Sequence, residues 1–125
     1  MNTPVSIRPI GIVAYPEVGI LDITGPSEVF TFANWIIQKE GISQETVYPL
    51  TILAEQPGPV KTLSGLQLIA DQSFSQIDEN YDTLMIAGAL PEVLLAYTEI
   101  VDLVKVMAPK VRRLASVCTG AFLLA

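Results

Sequence analysis

This sequence predicts an α/β fold, a mostly parallel sheet flanked by helices, and three observations carry that expectation. Short apolar runs recur along the chain, and Asp82–Gly88 is apolar almost without interruption, as in a sheet covered on both faces. Between the runs lie longer segments with helical spacing, and strands alternating with helices are joined in parallel. Half of the 125 residues are hydrophobic and only 16% are charged, enough to build one buried core.

The elements follow in order. Ile10–Tyr15 reads as a buried first strand stopped by Pro16. A loop from Glu17 to Thr24 is expected next, with Gly25 and Pro26 opening a helix, since proline suits a first helical turn. Val29, Ala33, Ile36 and Ile37 fall on one apolar face of that helix, and Gly41 fits its end. Val47–Glu55 reads as a second strand and Pro57-Gly58-Pro59 as a turn. Val60–Asp71 alternates as a hairpin pivoting on Ser64 and Gly65. Asp82–Gly88 is the next strand. Pro91 starts a helix carrying Val93, Leu94, Ile100, Val101, Leu103, Val104 and Met107, ended by Pro109. Leu114–Val117 is the last strand, running straight into an apolar helix after Cys118.

Composition excludes several functions. Thirteen acidic residues against seven basic ones give a net charge of −6, which is no footprint for nucleic acid or for an anionic membrane. A lone cysteine forms no internal disulfide and suits a reducing compartment; with no signal peptide legible at the N-terminus, the cytoplasm is the expected location. The chain has no histidine, so a Cys-His or Ser-His dyad cannot form within it, and one cysteine with scattered carboxylates is no ligand set for zinc or iron. Neither a metal nor a cofactor is expected. No Gly-x-Gly-x-x-Gly or Walker loop occurs.

Cys118 carries most of the chemical interest. A strand that turns directly into a helix lifts the intervening side chain onto a sharp bend, and a helix N-terminus favours thiolate. Such a bend needs small neighbours, and Ser116 and Gly120 supply them two residues to either side. The amides of Thr119 and Gly120 would point at the site and could hold an oxyanion. Spacing alone leaves a buried structural cysteine as an equal alternative. The segment Ala121–Ala125 is apolar and uncapped. A single domain over residues 1–125, truncated after this turn, is therefore expected over a complete small domain with a docked last helix.

The segment Ala115-Ser-Val-Cys-Thr-Gly-Ala-Phe-Leu-Leu-Ala125 resembles the nucleophile elbow of the ThiJ/PfpI superfamily, with its class I glutamine-amidotransferase-like, flavodoxin-like sandwich. Leu21-Asp-Ile-Thr-Gly-Pro-Ser-Glu-Val-Phe30 resembles that superfamily's first strand–helix junction, Thr83–Gly88 its strand before the oxyanion loop, and Gly58–Leu66 its connecting hairpin. Two branches are most similar: isonitrile hydratases, and the N-terminal sensor domains of AraC-type transcription regulators. Gly25–Asn34 and Arg112–Ala125 fit the second wording more fully.

The resemblance implies that Cys118 is the nucleophile, that Asp22 approaches it from the first loop, and that Thr119 lines the same pocket. It assigns oxyanion or ligand binding to Gly88, Ala89 and Gly120. Without it, Asp22 would read as a loop or capping aspartate. Glu28, in a first helical turn, is explained by the helix dipole and stays outside the set. The family commonly has Gly-Gly after the strand ending at Gly88, whereas Ala89 and Leu90 follow here, and a Cβ there limits approach of a bound anion. That departure favours a sensor that binds without turnover. Many relatives also place a histidine shortly beyond the elbow helix.

The expected function is thus a ligand-sensing domain of an AraC-type regulator, without its DNA-binding part, that meets a small molecule and forms a homodimer. A cysteine-dependent isonitrile hydratase or related hydrolase is the alternative, and a redox-sensing thiol domain the third. Trp35 and its phenylalanine neighbours read as core and interface. Lys105, Lys110, Arg112 and Arg113 read as a solvated helix end.

Overall fold

The computed structural model describes residues 4–77 and 80–125. The elements run β1 Ile10–Val13, α1 Leu21–Lys39, β2 Leu50–Ala54, β3 Gly58–Lys61, β4 Gln67–Ala70, β5 Gln72–Ser73, β6 Thr83–Ile86, α2 Pro91–Leu94, α3 Thr98–Met107, β7 Arg113–Ser116 and α4 Ala121–Leu124. Five strands form one sheet in the order β5-β2-β1-β6-β7. Every pairing in it is parallel, with Ile12 opposite Ile52 on one side and Met85 on the other. This is the predicted α/β architecture, and the central strand β1 is buried at all four positions. Ile10, Ile12, Leu53, Leu84, Ile86 and Ile100 make the densest part of the core. Burying such a side chain contributes about 2–3 kcal/mol each, which is why the central strands are mostly apolar.

A separate antiparallel ribbon, β3 with β4, pairs Val60 with Leu68. Its turn is closed at Thr62, whose amide and hydroxyl both donate to the Leu66 carbonyl. The ribbon begins at Gly58, so two of the three residues read as a turn in the sequence are strand. It is tied to the end of β1, where the Glu17 amide donates to Lys61 O at 2.8 Å and the Leu63 amide to Val18 O at 3.1 Å.

Three helical expectations require correction. The first helix begins at Leu21, not at Gly25, so Pro26 sits inside it. The extra turn holds because the amides of Ile23 and Thr24 reach the Ile20 carbonyl and the Thr24 hydroxyl bonds it too. The missing proline N–H therefore leaves a single bond unmade within that turn. The face of α1 turned inward is also only half the one expected, since Ala33 and Ile37 are partly covered. Val29 and Ile36 are exposed, while Ile23 is buried and Phe30, Asn34 and Ile37 are partly covered. Asn34 sets this rotation: its amide nitrogen donates to Tyr48 O at 2.9 Å and its oxygen accepts the Tyr48 amide at 2.9 Å. Phe30 meets the Tyr48 ring at 5.2 Å between centroids. Leu21, Val29, Phe32, Trp35 and Ile36 consequently form an exposed apolar stripe. Finally, the helix predicted from Pro91 to Pro109 is broken into α2 and α3 at Leu95–Tyr97. The break turns the Tyr97 ring onto Tyr15, with centroids 5.1 Å apart.

β5 and the 3-10 turn Phe74–Gln76 were not legible in the sequence. Two residues of strand carry no periodicity, and the edge is held instead by side chains. Asp71 accepts the Ile52 amide at 2.8 Å, and the Ser73 hydroxyl donates to Glu55 O at 2.7 Å. Among the described residues no helix is long and apolar enough to cross a membrane, and no group of three potential metal ligands occurs.

Candidate functional site

The carboxyl ends of β1, β6 and β7 lie side by side, and the residues that leave them make the site. After β7 the chain bends at Cys118, whose φ is 54°. A non-glycine residue in that region stores about 1–3 kcal/mol of strain and persists only where its surroundings impose it. Two contacts impose it here. The Val117 amide donates to Ile86 O at 2.9 Å, holding the end of the strand against β6. Gly120 then packs so closely on Ile86 that a Cβ would overlap the Ile86 carbonyl oxygen. The bend leaves Cys118 exposed.

Asp22 reaches the same place from the first turn of α1, not from a loop. Its Oδ2 accepts the Gly88 amide at 3.0 Å. The Thr119 side chain closes the other side, donating to Ala89 O at 2.7 Å and accepting the Ala89 amide at 3.0 Å. Gly88 lies between them. A Cβ at residue 88 would stand 2.6 Å from Thr119 Oγ1 and 2.9 Å from Asp22 Oδ2, so only glycine lets both side chains close over the peptide. The Gly19 amide donates to Gly88 O at 2.9 Å and completes the clamp.

Asp22, Gly88, Ala89, Cys118 and Thr119 line one open cavity of about 350 Å³, closed on its apolar side by Leu63 and Leu90. All the residues singled out in the sequence are thus brought together except Gly120, which is buried beneath the elbow and whose amide donates to Val117 O at 3.0 Å. The amides of Gly88 and Ala89 are likewise engaged, by Asp22 and Thr119. A larger cleft of about 430 Å³ lies elsewhere, beside Glu55, Phe74 and Asp102, and is lined by Ser73 and Ser75 but by no cysteine.

One neighbour escaped sequence reasoning. Tyr15 reads there only as the last residue of an apolar strand. It is 2% exposed, and its hydroxyl donates to Ala87 O at 2.7 Å. Burial pushes its phenol well above the ordinary range, and the nearby charges of Asp22, Tyr97 and Cys118 push the same way. The available signal was a polar tip at the end of a buried strand, which needs a partner. At the opposite end of the sheet, Arg112 forks onto Asp82 through Nε at 2.7 Å and Nη2 at 3.0 Å. That pair, with the Thr83 hydroxyl, holds the Asp82 carboxyl below its usual range and fixes where β7 starts.

A profile of the DJ-1/PfpI family matches residues 10–125. The chain belongs to the DJ-1/PfpI family. An uncharacterized protein from the cpoL 5′ region of Streptomyces lividans is 33% identical over 120 residues, covering 90% of this chain and 74% of its own length. Among solved structures, a ThiJ/PfpI family protein from Pseudomonas syringae superposes with a TM-score of 0.76 at 20% identity, over 97% of this chain and 46% of that one. An AraC family transcriptional regulator from Pseudomonas putida gives 0.73 at 22% identity, over 94% and 59%. DJ-1beta from Drosophila melanogaster gives 0.71 at 16%, over 94% and 59%. The chain therefore spans about half the length of these structures, and the likeness extends to the DJ-1/PfpI fold.

Proposed function

We propose that this DJ-1/PfpI chain is the ligand-sensing part of an AraC-type transcription regulator. The carrying observation is the state of the amides around the thiol. Turnover of an acyl-type or imidoyl-type adduct needs free donors aimed at the developing charge. The Gly88 and Ala89 amides instead hold Asp22 and Thr119, and the Gly120 amide faces its own turn. A cavity whose Gly88 and Ala89 amides are already internally bonded recognises a small molecule by shape, by its apolar side at Leu63 and Leu90, and by the exposed sulfur. In this reading Cys118, Asp22 and Thr119 contact the ligand, with Gly88 and Ala89 as its floor. A homodimer, a cytoplasmic location and a DNA-binding segment elsewhere in the parent protein belong to the same proposal.

The second reading is a cysteine-dependent isonitrile hydratase, favoured by the strained bend at Cys118 and by Asp22 on the same cavity. The sulfur would add to the isonitrile carbon while a proton passes to that carbon, giving a thioimidate. Water would then add to the thioimidate carbon, and release of the thiol would leave an N-substituted formamide. A small alkyl isonitrile separates the two readings in the full-length protein. Calorimetry reads binding and carbon NMR reads formamide. Saturable binding without product supports the sensor; catalytic formamide release that Cys118→Ala abolishes overturns it in favour of the hydratase. Two helix-turn-helix units in the parent reading frame would be a further support, and sedimentation velocity tests the dimer.

A further inference from the structure

The peptide unit joining Ala87 to Gly88 is held from both sides. Its carbonyl oxygen accepts the Tyr15 hydroxyl at 2.7 Å, and its N–H donates to Asp22 Oδ2 at 3.0 Å. A peptide is one rigid, conjugated plane, so the two hydrogen bonds share a single delocalised group. We propose that Tyr15 is a positioning residue for Asp22, acting through the Ala87–Gly88 peptide and not by touching the ligand. The proposal deepens the reading above, in that Asp22 is the carboxylate of that site.

The physics is cooperative polarisation. A donor on an amide carbonyl draws electron density toward the oxygen and leaves the N–H a better donor, by roughly 10–30% per bond in condensed phases. Tyr15 is placed to do this without competition from water, since it is buried at the end of β1 while Asp22 is partly open to the cavity. The groups around the relay favour a protonated phenol. Asp22 from α1, Cys118 from the elbow and Tyr97 ahead of α3 all oppose a phenolate at residue 15. Burial raises the Tyr97 phenol as well, and Glu17, Glu99 and Glu55 push the same way. The Tyr15 phenol therefore remains a donor at neutral pH. The Gly19 amide on Gly88 O and the Thr119 hydroxyl on Ala89 keep the next peptide fixed, so the relay has little freedom to reorient.

Heteronuclear NMR of the ligand-free protein tests this, reading the Gly88 amide proton and the Asp22 carboxyl carbon. In Tyr15→Phe the ring stays and the donor goes. The Gly88 proton is expected to move upfield and the Asp22 carbon to shift with it. Incorporation of 3-fluorotyrosine at position 15 makes the phenol a stronger donor and is expected to move the Gly88 proton downfield. Shifts of opposite sign in the two proteins support the relay. An unmoved Gly88 proton, or equal movement in the same direction, overturns it. Should Tyr15→Phe fail to fold, the fluorinated protein decides alone, since its shape is nearly native and a resonance that stays put refutes the proposal. Neither readout involves a ligand or turnover. Failure of the sensor reading therefore leaves this result standing, and failure of the relay leaves the sensor reading to its own experiment.

Discussion

Replacing Thr119 by valine should loosen the site in a way that can be sized from the structure. Valine keeps the branched shape and loses the hydroxyl, which both donates to Ala89 O at 2.7 Å and accepts the Ala89 amide at 3.0 Å. Two backbone groups are then left without their partner. A backbone group stranded away from water costs about 1–3 kcal/mol. Thr119 is only partly buried and the cavity is open, so water can reach both groups and the lower end applies. About 2 kcal/mol in total is expected, which for a domain of this size lowers Tm by roughly 6–10 °C. Thermal unfolding of wild type, Thr119→Val and Thr119→Ser measures it, with hydrogen exchange of the Ala89 amide as the local probe. The serine variant restores the hydroxyl and should recover most of the loss. If valine unfolds at the wild-type temperature and Ala89 stays protected from exchange, the clamp contributes nothing and the argument for engaged amides fails with it.

Three further outcomes are expected. Gly120→Ala drives a methyl into the Ile86 carbonyl, a backbone atom that cannot swing away, and should cost about 3 kcal/mol; soluble yield and Tm report it. The Asp82–Arg112 pair sets an acid limb. Because folding lowers the Asp82 pKa, its stabilisation is present above the unfolded carboxylate value of about 3.9 and fades as pH falls through the lower folded value, so Asp82→Asn should flatten that part of the stability–pH curve. Graded peroxide should convert the exposed Cys118 to a sulfenic or sulfinic form visible by intact mass, and a sulfur that stays unmodified at high oxidant removes the redox-sensor alternative.

What could be read from the sequence follows the range of the forces involved. β1 and β6 were legible because burial on both faces leaves a largely apolar run, a local signal of a global fact, while the edge strand β7, with no buried residue, was legible only beside the elbow it feeds. The elbow was legible because the close approach at Gly120 demands small residues at fixed positions beside Cys118. The start of α1 was not, because a proline normally marks a first turn and here a Thr24 side-chain bond to Ile20 sustains one more turn ahead of it. The inward face of α1 was hidden for a related reason. Hydrophobic spacing favours Val29, Ala33, Ile36 and Ile37, but a paired bond between Asn34 and Tyr48, 14 residues away, turns Val29 and Ile36 outward and leaves Ala33 and Ile37 partly covered. The break at Leu95–Tyr97 answers to an aromatic contact with Tyr15, far off in sequence.

The same distinction bears on function. Sequence shows which side chains stand on the elbow and beside the first strand, and it shows that an alanine, not a second glycine, follows Gly88. It cannot show whether the amides beside them are free. That depends on three long-range bonds, from Tyr15 to Ala87, from Gly88 to Asp22 and between Ala89 and Thr119, spanning 72, 66 and 30 residues. The identities of Cys118 and Asp22 suit a nucleophile and its proton partner equally well in an enzyme and in a sensor. On the proposed reading the difference lies in what the surrounding backbone is already bonded to, and here the Gly88 and Ala89 amides are bonded to Asp22 and Thr119.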